Sequence, residues 1–311
     1  MLLILDHHST NPDWNLAAEE YLLTYKTDSV FRLWRNAPSI IVGRHQNTWA
    51  EVNVPYVEQF HIPVIRRLSG GGAVFHDLGN INYSFMEPKP HGEESSGTFK
   101  RCTQPILSAL NHIGVKAYLS GRNDLLIDGK KFSGTAQCQV QGRILLHGTL
   151  LYSSALSKLG KALEGPRSKF TKKAVSSTIS PVCNIGSHLT DVPPVERFMD
   201  YLADYMHSAY PNVHSCEYTP DDLKTIESIA ASKYRTKEWN WGKEPNFSHT
   251  VEVKTESGNL QLYYDTDQDG FISRIHIFGD YVGQLPREAL EVHLIGIRPE
   301  EELLRNLLNS F

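Results

Sequence analysis

A chain of 311 residues is longer than a typical single domain, so one large unit followed by a smaller one is the expected organisation. Hydrophobic residues make up 40% and charged residues 21%, the balance of a globular chain whose core needs no disulfide or metal. With 31 basic against 35 acidic side chains and a net charge of −4, a generic nucleic-acid binder is excluded, although a local basic site is not.

Residues 2–5 predict a first strand; the N-terminus has neither the basic start nor the long apolar core of a secretory signal. Asn11-Pro12 offers a cap and a first-turn proline for a helix over 14–25. Strand-like runs follow at 30–34, 39–42, 63–67, 73–76 and 80–85. The Pro- and Gly-containing stretch 87–97 predicts a mobile loop, and 99–113 a helix with Ile106, Leu107, Leu110 and Ile113 on one face. Strands are predicted at 124–127, 131–140 and 143–152, the last two joined by the hairpin signal Gln141-Gly142. Short helices are predicted near 154–163, 195–209 and 220–233, then a turn-rich segment over 236–249. After it the pattern restarts, with strands near 250–255, 259–264 and 271–278 and helices near 287–294 and 298–309. Strands outnumber helices and often follow one another directly. That predicts an α+β fold with a mixed, mostly antiparallel sheet and flanking helices, and the restart marks a small α+β C-terminal domain. No run approaches the roughly 20 apolar residues of a membrane helix. Cys102, Cys138, Cys183 and Cys216 form no CxxC pair, which predicts a reducing, cytoplasmic setting.

The strongest local signal is IRRLSGGGAVFHD, residues 65–77. Three consecutive glycines let a backbone approach a ligand closely, and free N–H groups in such a turn form an anion-binding concavity. Arg66 and Arg67 can fork onto phosphate oxygens. Neither the GxGxxG nor the GxxxxGK[ST] pattern fits, and a plain hairpin turn remains open for Gly70, Gly71 and Gly72 taken alone. The second signal is GRND at 121–124 with GKKFSG at 129–134. On a regular strand Lys131 and Ser133 share the face opposite Phe132, so a core-facing Phe132 turns Lys131 towards a cleft. A compact ammonium there suits a phosphate and a carboxylate that must react with each other. Read without context, Lys130 and Lys131 fit solvated hairpin-tip charges better. Arg44, His45, Gln46 and Asn47 form a polar cluster at the end of an apolar strand, where binding loops sit. Trp34 fits either core or site. His147, mid-strand among apolar residues, reads first as structural, and His7-His8 as chance. His76-Asp77 has no serine or cysteine nucleophile in a matching context. No base is readable beside Cys183, so it reads as a buried thiol before an acyl carrier.

Together these segments resemble the lipoate–protein ligase family of the biotin/lipoate ligase superfamily. The matching pieces are LWRNAPSIIVGRHQN, RRLSGGGAVFHDLGN, GRNDL, GKKFSG and HGTLLY, with NLAAEEY before them and EWNWGKEPNF after. The resemblance implies a biotin/lipoate ligase-like acyl-adenylating domain over 1–243 and a small mobile accessory domain over 244–311. It implies ATP and Mg²⁺ as co-substrates and no permanently bound cofactor. Lipoate or octanoate would become an acyl-adenylate. A lysine of a lipoyl carrier domain would then take the acyl group, on a 2-oxoacid dehydrogenase acyltransferase subunit or the glycine cleavage H protein. No nucleic acid or membrane is implied.

By matching position, Lys131 would bridge the lipoate carboxylate and the nucleotide phosphate. Arg67, the backbone of Gly72, Ala73, Val74 and Phe75, and Asn123 and Asp124 would hold ATP, with Asp124 towards Mg²⁺. The acyl group would lie among Trp34, Arg66, Ser69, Gly70, Gly71, His76 and His147. The chain departs from the family at STISPVCN, residues 177–184, where relatives carry the arginine-rich SVRSRVTN, and at Cys138, where some carry arginine. An ATP-independent octanoyl or lipoyl transferase using Cys183, and a non-catalytic lipoate- or carrier-binding protein, are the alternatives.

Overall fold

A computed structural model describes residues 1–121, 123–156, 163, 181–242, 247–255, 258–279 and 285–310. An eight-stranded sheet organises the larger part of the chain. Its strands are β1 (Leu2–Leu5), β2 (Val30–Trp34), β6 (Asn80–Pro88), β7 (Ala117–Ser120), β8 (Asp124–Ile127), β9 (Lys130–Val140), β10 (Arg143–Leu151) and β11 (His214–Ser215). They lie in the order β11-β1-β2-β6-β10-β9-β8-β7. β1 runs parallel to both its neighbours, and the other pairings are antiparallel. A three-stranded sheet, β4 (Val64–Arg66), β3 (Ser39–Val42) and β5 (Val74–His76), presents the glycine loop that joins β4 to β5. A second three-stranded sheet, β12 (His249–Thr255), β13 (Gly258–Thr266) and β14 (Ile272–Gly279), carries the helices Arg287–Leu294 and Glu301–Ser310.

Strand alternation divides the large sheet between two cores. Phe31, Leu33, Ile81, Tyr83, Phe85, Leu146 and Leu150 face the helices Ser95–His112 and Val195–Ala209. Val30, Trp34, Met86 and Leu145 face the first helix, Pro12–Tyr25, through Leu16, Leu22 and Leu23. The C-terminal sheet has a core of its own, built on Leu260, Leu262, Ile277, Leu290, Leu304 and Leu308. Among the described residues no helix is long and apolar enough to cross a membrane.

Several expectations shift. The predicted loop 87–97 is shorter, because Pro88 and Glu87 still pair with Arg143 and Ile144 and the next helix starts at Ser95. The short helices Thr48–Glu51 and Val54–Gln59 were not expected, although Asn47 and Asn53 cap them by accepting from Trp49 N and Tyr56 N. β7 was not expected either. The stretch read as turns contains the helix Lys237–Trp241, capped by Thr236. Gln141 and Gly142, with φ of 50° and 76°, make the predicted hairpin turn. Most of the helix expected near 154–163, the 243/244 boundary and Arg122 lie outside the described residues.

Candidate active site

The pairing of β8 with β9 is irregular: Leu125 lies opposite Ser133 and Leu126 opposite Lys131, which makes Phe132 the extra residue of a β-bulge. Phe132 and Ser133 are both buried, at 0% and 1% exposure. The expectation that Lys131 and Ser133 share a face is therefore overturned, since an inserted residue reverses the sidedness of the strand beyond it. Lys131 shares its side with Gly134, where a Cβ would lie 3.1 Å from the lysine Cε and Nζ. Lys131 Nζ sits 2.8 Å from Asp124 Oδ1, both side chains being 30% exposed. Its main chain is clasped by the segment that succeeds the missing arginines: Lys131 N donates to Pro181 O at 2.8 Å and Cys183 N to Lys131 O at 3.0 Å. Lys130 is exposed.

The glycine loop packs beside this corner. Gly71 has a φ of 88°, and its carbonyl oxygen would be only 2.0 Å from a Cβ at Gly43, so two backbones meet where side chains cannot. Arg44 N donates to Ser69 O at 2.8 Å and laces the loop to the end of β3. At Gly72 a Cβ would meet nothing within 4 Å, so that part of the loop borders open space. Ala73 and Val74 are partly exposed, while Phe75 packs into the small sheet's core.

The arginine pair is bound into the backbone of its own loops. Arg66 and Arg67 are each only 6% exposed. The Arg66 guanidinium donates to the carbonyls of Gly43, Arg44, Gln46, Trp239 and Asn240 and to Thr48 Oγ1, and its pKa is lowered to about 10 by burial and by Arg44 and Arg67. Arg67 donates to the carbonyls of Ile41, Gly70 and Gly72 and to Ser69 Oγ. These bonds shape the loop from within. Asn123 is likewise engaged, its Nδ2 donating to Thr135 O at 3.0 Å.

A buried polar chain links the loop to Trp34. Ser69 Oγ lies 2.6 Å from His147 Nε2, and His147 Nδ1 lies 3.0 Å from Glu19. Ser84 Oγ donates to Glu19 and accepts from Trp34 Nε1 at 2.9 Å. Burial pushes the Glu19 carboxyl up, but His147, Ser84 and Arg32 together outweigh it and hold it below the usual range. Sequence reasoning missed Glu19 and Ser84. The signal for Glu19 was an acid inside the otherwise apolar helix NLAAEEYLL, which needs a buried partner. His76 is also buried, with Nδ1 3.1 Å from Asn36 Nδ2. Burial, with Arg67 and His147, lowers its pKa to about 3.

Burial pushes the Cys183 thiol up, and its Sγ faces the Lys130 carbonyl, so it lacks the character of an acyl-carrying nucleophile. Cys138 is pushed up to about 12, chiefly by burial. Among the described residues no three His, Cys, Asp or Glu side chains converge as a metal cage.

Comparison with known proteins now decides the family. The model of the lipoyl protein ligase A/B catalytic domain matches residues 11–207, and that of the bacterial lipoate protein ligase C-terminus matches 244–311. The chain belongs to the lipoate–protein ligase family. It is 38% identical to lipoate-protein ligase LplJ of Bacillus subtilis and 37% identical to lipoate–protein ligase 1 of Staphylococcus aureus, covering 100% of this chain and 94% of each relative. Among solved structures, P. falciparum LipL1 in complex with lipoate superposes with a TM-score of 0.72 at 24% identity, over 99% of this chain and 93% of that one. The bipartite ligase of Thermoplasma acidophilum, described together with its E2 lipoyl domain, gives 0.67 at 28% identity over 78% and 97%. A lipoate-protein ligase A bound with ATP gives 0.64 at 25% identity over 77% and 98%.

Proposed function

We propose that this lipoate–protein ligase activates lipoate or octanoate with ATP beside Lys131 and the glycine loop, then passes the acyl group to a lysine of a lipoyl carrier domain. The observation that carries the reading is Lys131: a partly exposed ammonium with one replaceable partner, Asp124, on a strand bulged so as to turn it outward. The relatives named as ligases, the ATP bound to ligase A and the E2 lipoyl domain of the archaeal system support it. The preferred carrier would be a 2-oxoacid dehydrogenase acyltransferase subunit or the glycine cleavage H protein, in the cytoplasm.

In the first half-reaction a carboxylate oxygen attacks the α-phosphorus and pyrophosphate leaves. Two anions must meet, and Lys131 neutralises both without any bond to the enzyme. The open flank at Gly72 lets main-chain groups approach phosphate oxygens. Magnesium bound through nucleotide phosphates usually needs only one or two protein carboxylates, and Asp124, partly exposed beside Lys131, fits that role. When bound, the ion supplies charge neutralisation for the leaving pyrophosphate. In the second half-reaction the carrier amine attacks the acyl carbon, AMP leaves, and the amine sheds a proton. Burying the acyl chain contributes about 0.8 kcal/mol per CH₂.

The 244–311 unit would act as a cover, keeping water from the mixed anhydride. A chain ending at Gly242 should stay folded, lose adenylation and keep some transfer from supplied lipoyl-adenylate. Full adenylation with transfer lost would assign the unit to carrier docking instead. The reading as a whole is tested by incubating the protein with ATP, Mg²⁺ and a panel of acids and weighing any acyl-adenylate. Absence of adenylate and of pyrophosphate exchange, with acyl transfer intact, would favour the ATP-independent transferase.

A further inference from the structure

A one-way hydrogen-bond chain runs from Arg32, which Asp6 anchors, to His76. Arg32, 0% exposed, gives Nε to Asp6 Oδ2 at 2.8 Å and NH2 to Asn15 Oδ1 at 2.6 Å. A guanidinium can only donate, so the Asn15 oxygen is the acceptor and its Nδ2 a donor. That Nδ2 lies 2.9 Å from Asn36 Oδ1, which fixes the Asn36 amide in turn. Asn36 Nδ2 then donates to His76 Nδ1 at 3.1 Å. An imidazole that accepts at Nδ1 and is kept neutral by burial carries its proton on Nε2. This Nε2–H is buried and finds no partner among the described residues. A buried donor left unmet is costly, so the site is short of one acceptor.

The position of His76 beside Trp34 suggests which part of a ligand could supply it. Its ring lies 6.3 Å from that of Trp34, edge to face. Trp34 is on β2, and β6 and β10 separate β2 from Lys131 on β9, three strand spacings or about 14 Å. An acyl chain whose carboxylate met Lys131 and which lay across the sheet would bring its far end to Trp34 and His76. Lipoate ends there in a dithiolane, whose sulfurs are weak acceptors; octanoate ends in bare hydrocarbon. We propose that His76 Nε2–H reads the dithiolane sulfur of the acyl substrate, with Asn36, Asn15 and Arg32 as positioning residues that fix the donor tautomer. The proposal rests on the ligase reading above and adds the atom by which one acid is preferred.

The test compares lipoate with 5-cyclopentylpentanoate, which keeps the shape and replaces both sulfurs by CH₂. Calorimetric binding to the full chain is measured alongside adenylation. Lipoate should bind about tenfold more tightly, the scale of one neutral hydrogen bond. His76→Gln, whose amide nitrogen reaches the Nε2 position, should keep most of that preference; His76→Leu and Asn36→Leu should erase it. Nitrogen NMR of the ring should find Nε2 protonated in the native protein and the proton shared between both nitrogens in Asn36→Leu, a change that mere loosening of packing does not produce. Equal affinities for the two acids in the native protein, or a preference surviving in His76→Leu, overturns the proposal. Loss of adenylation with the binding preference intact would count against the ligase reading and leave His76 standing.

Discussion

Two groups of cations in the candidate site are held in opposite ways. Arg66 and Arg67 are almost wholly buried, and they donate to carbonyl and hydroxyl oxygens of their own chain. Lys131 is partly exposed, and its ammonium meets one carboxylate that a ligand or metal could draw away. A cation that shapes a loop must have its donors filled; a cation that works on substrate must be free to exchange partners. The two kinds cannot be told apart by charge or by proximity to a glycine motif.

Substitutions can break this contrast. Lys131→Ala should show the largest effect, a roughly 100- to 1000-fold loss of adenylation with unfolding unchanged, the scale seen when one aimed charge-stabilising donor is removed. Near-native adenylate formation in that variant would remove Lys131 from the chemistry. Arg66→Ala should act the other way round: it strands several buried carbonyls at about 1–3 kcal/mol each, so a melting curve should record the loss whether or not substrate is present. Trp34→Val should cost about 3 kcal/mol and admit bulkier acids; unchanged acid selectivity would make Trp34 ordinary core.

A smaller effect sharpens the contrast through pH. His76 has a pKa of about 3 in the fold against 6.5 as the ordinary value. Between those values the unfolded chain binds a proton that the native protein refuses, so stability is full above pH 6.5 and falls as pH drops towards 3. Unfolding free energies from urea titrations between about pH 6.5 and 5, above the carboxylate range, should fall by roughly 1–2 kcal/mol natively and hardly at all in His76→Gln. Least of all, Lys130→Ala should leave adenylation within about twofold, because its exposed ammonium points away from the site.

The sequence made strands 30–34, 39–42 and 124–127 and the helix 195–209 legible to the residue, because each joins a clear apolar period to a clear stop. Lys131 was found and its sidedness misread, since a bulge leaves no mark on composition: nothing in KKFSG says that Phe132 is the inserted residue. The partners of the arginines were not legible for a related reason. A sequence shows that a side chain can donate, but which oxygens come within reach depends on Gly43, Gln46, Trp239 and Asn240, brought together by the fold from distant parts of the chain. Glu19 and Ser84 were missed because their meaning lies in a partner, His147, more than a hundred positions away from Glu19.

Residues 43–47 join two bodies of the protein. On one side Gly43 meets Gly71 backbone to backbone and Arg44 holds Ser69. On the other, Asn47 Nδ2 donates to Tyr263 OH and His45 O accepts from Gly279 N, each at 3.0 Å, both partners belonging to the C-terminal sheet. The five residues thus form a brace between the C-terminal sheet and the glycine loop. Arg66 ties the carbonyls of Gly43, Arg44 and Gln46 to one guanidinium, so the segment is held on its inner side as well. If the C-terminal unit moves as proposed, Asn47 and His45 are where that motion would be felt first, each adjoining an arginine-held carbonyl, that of Gln46 or Arg44.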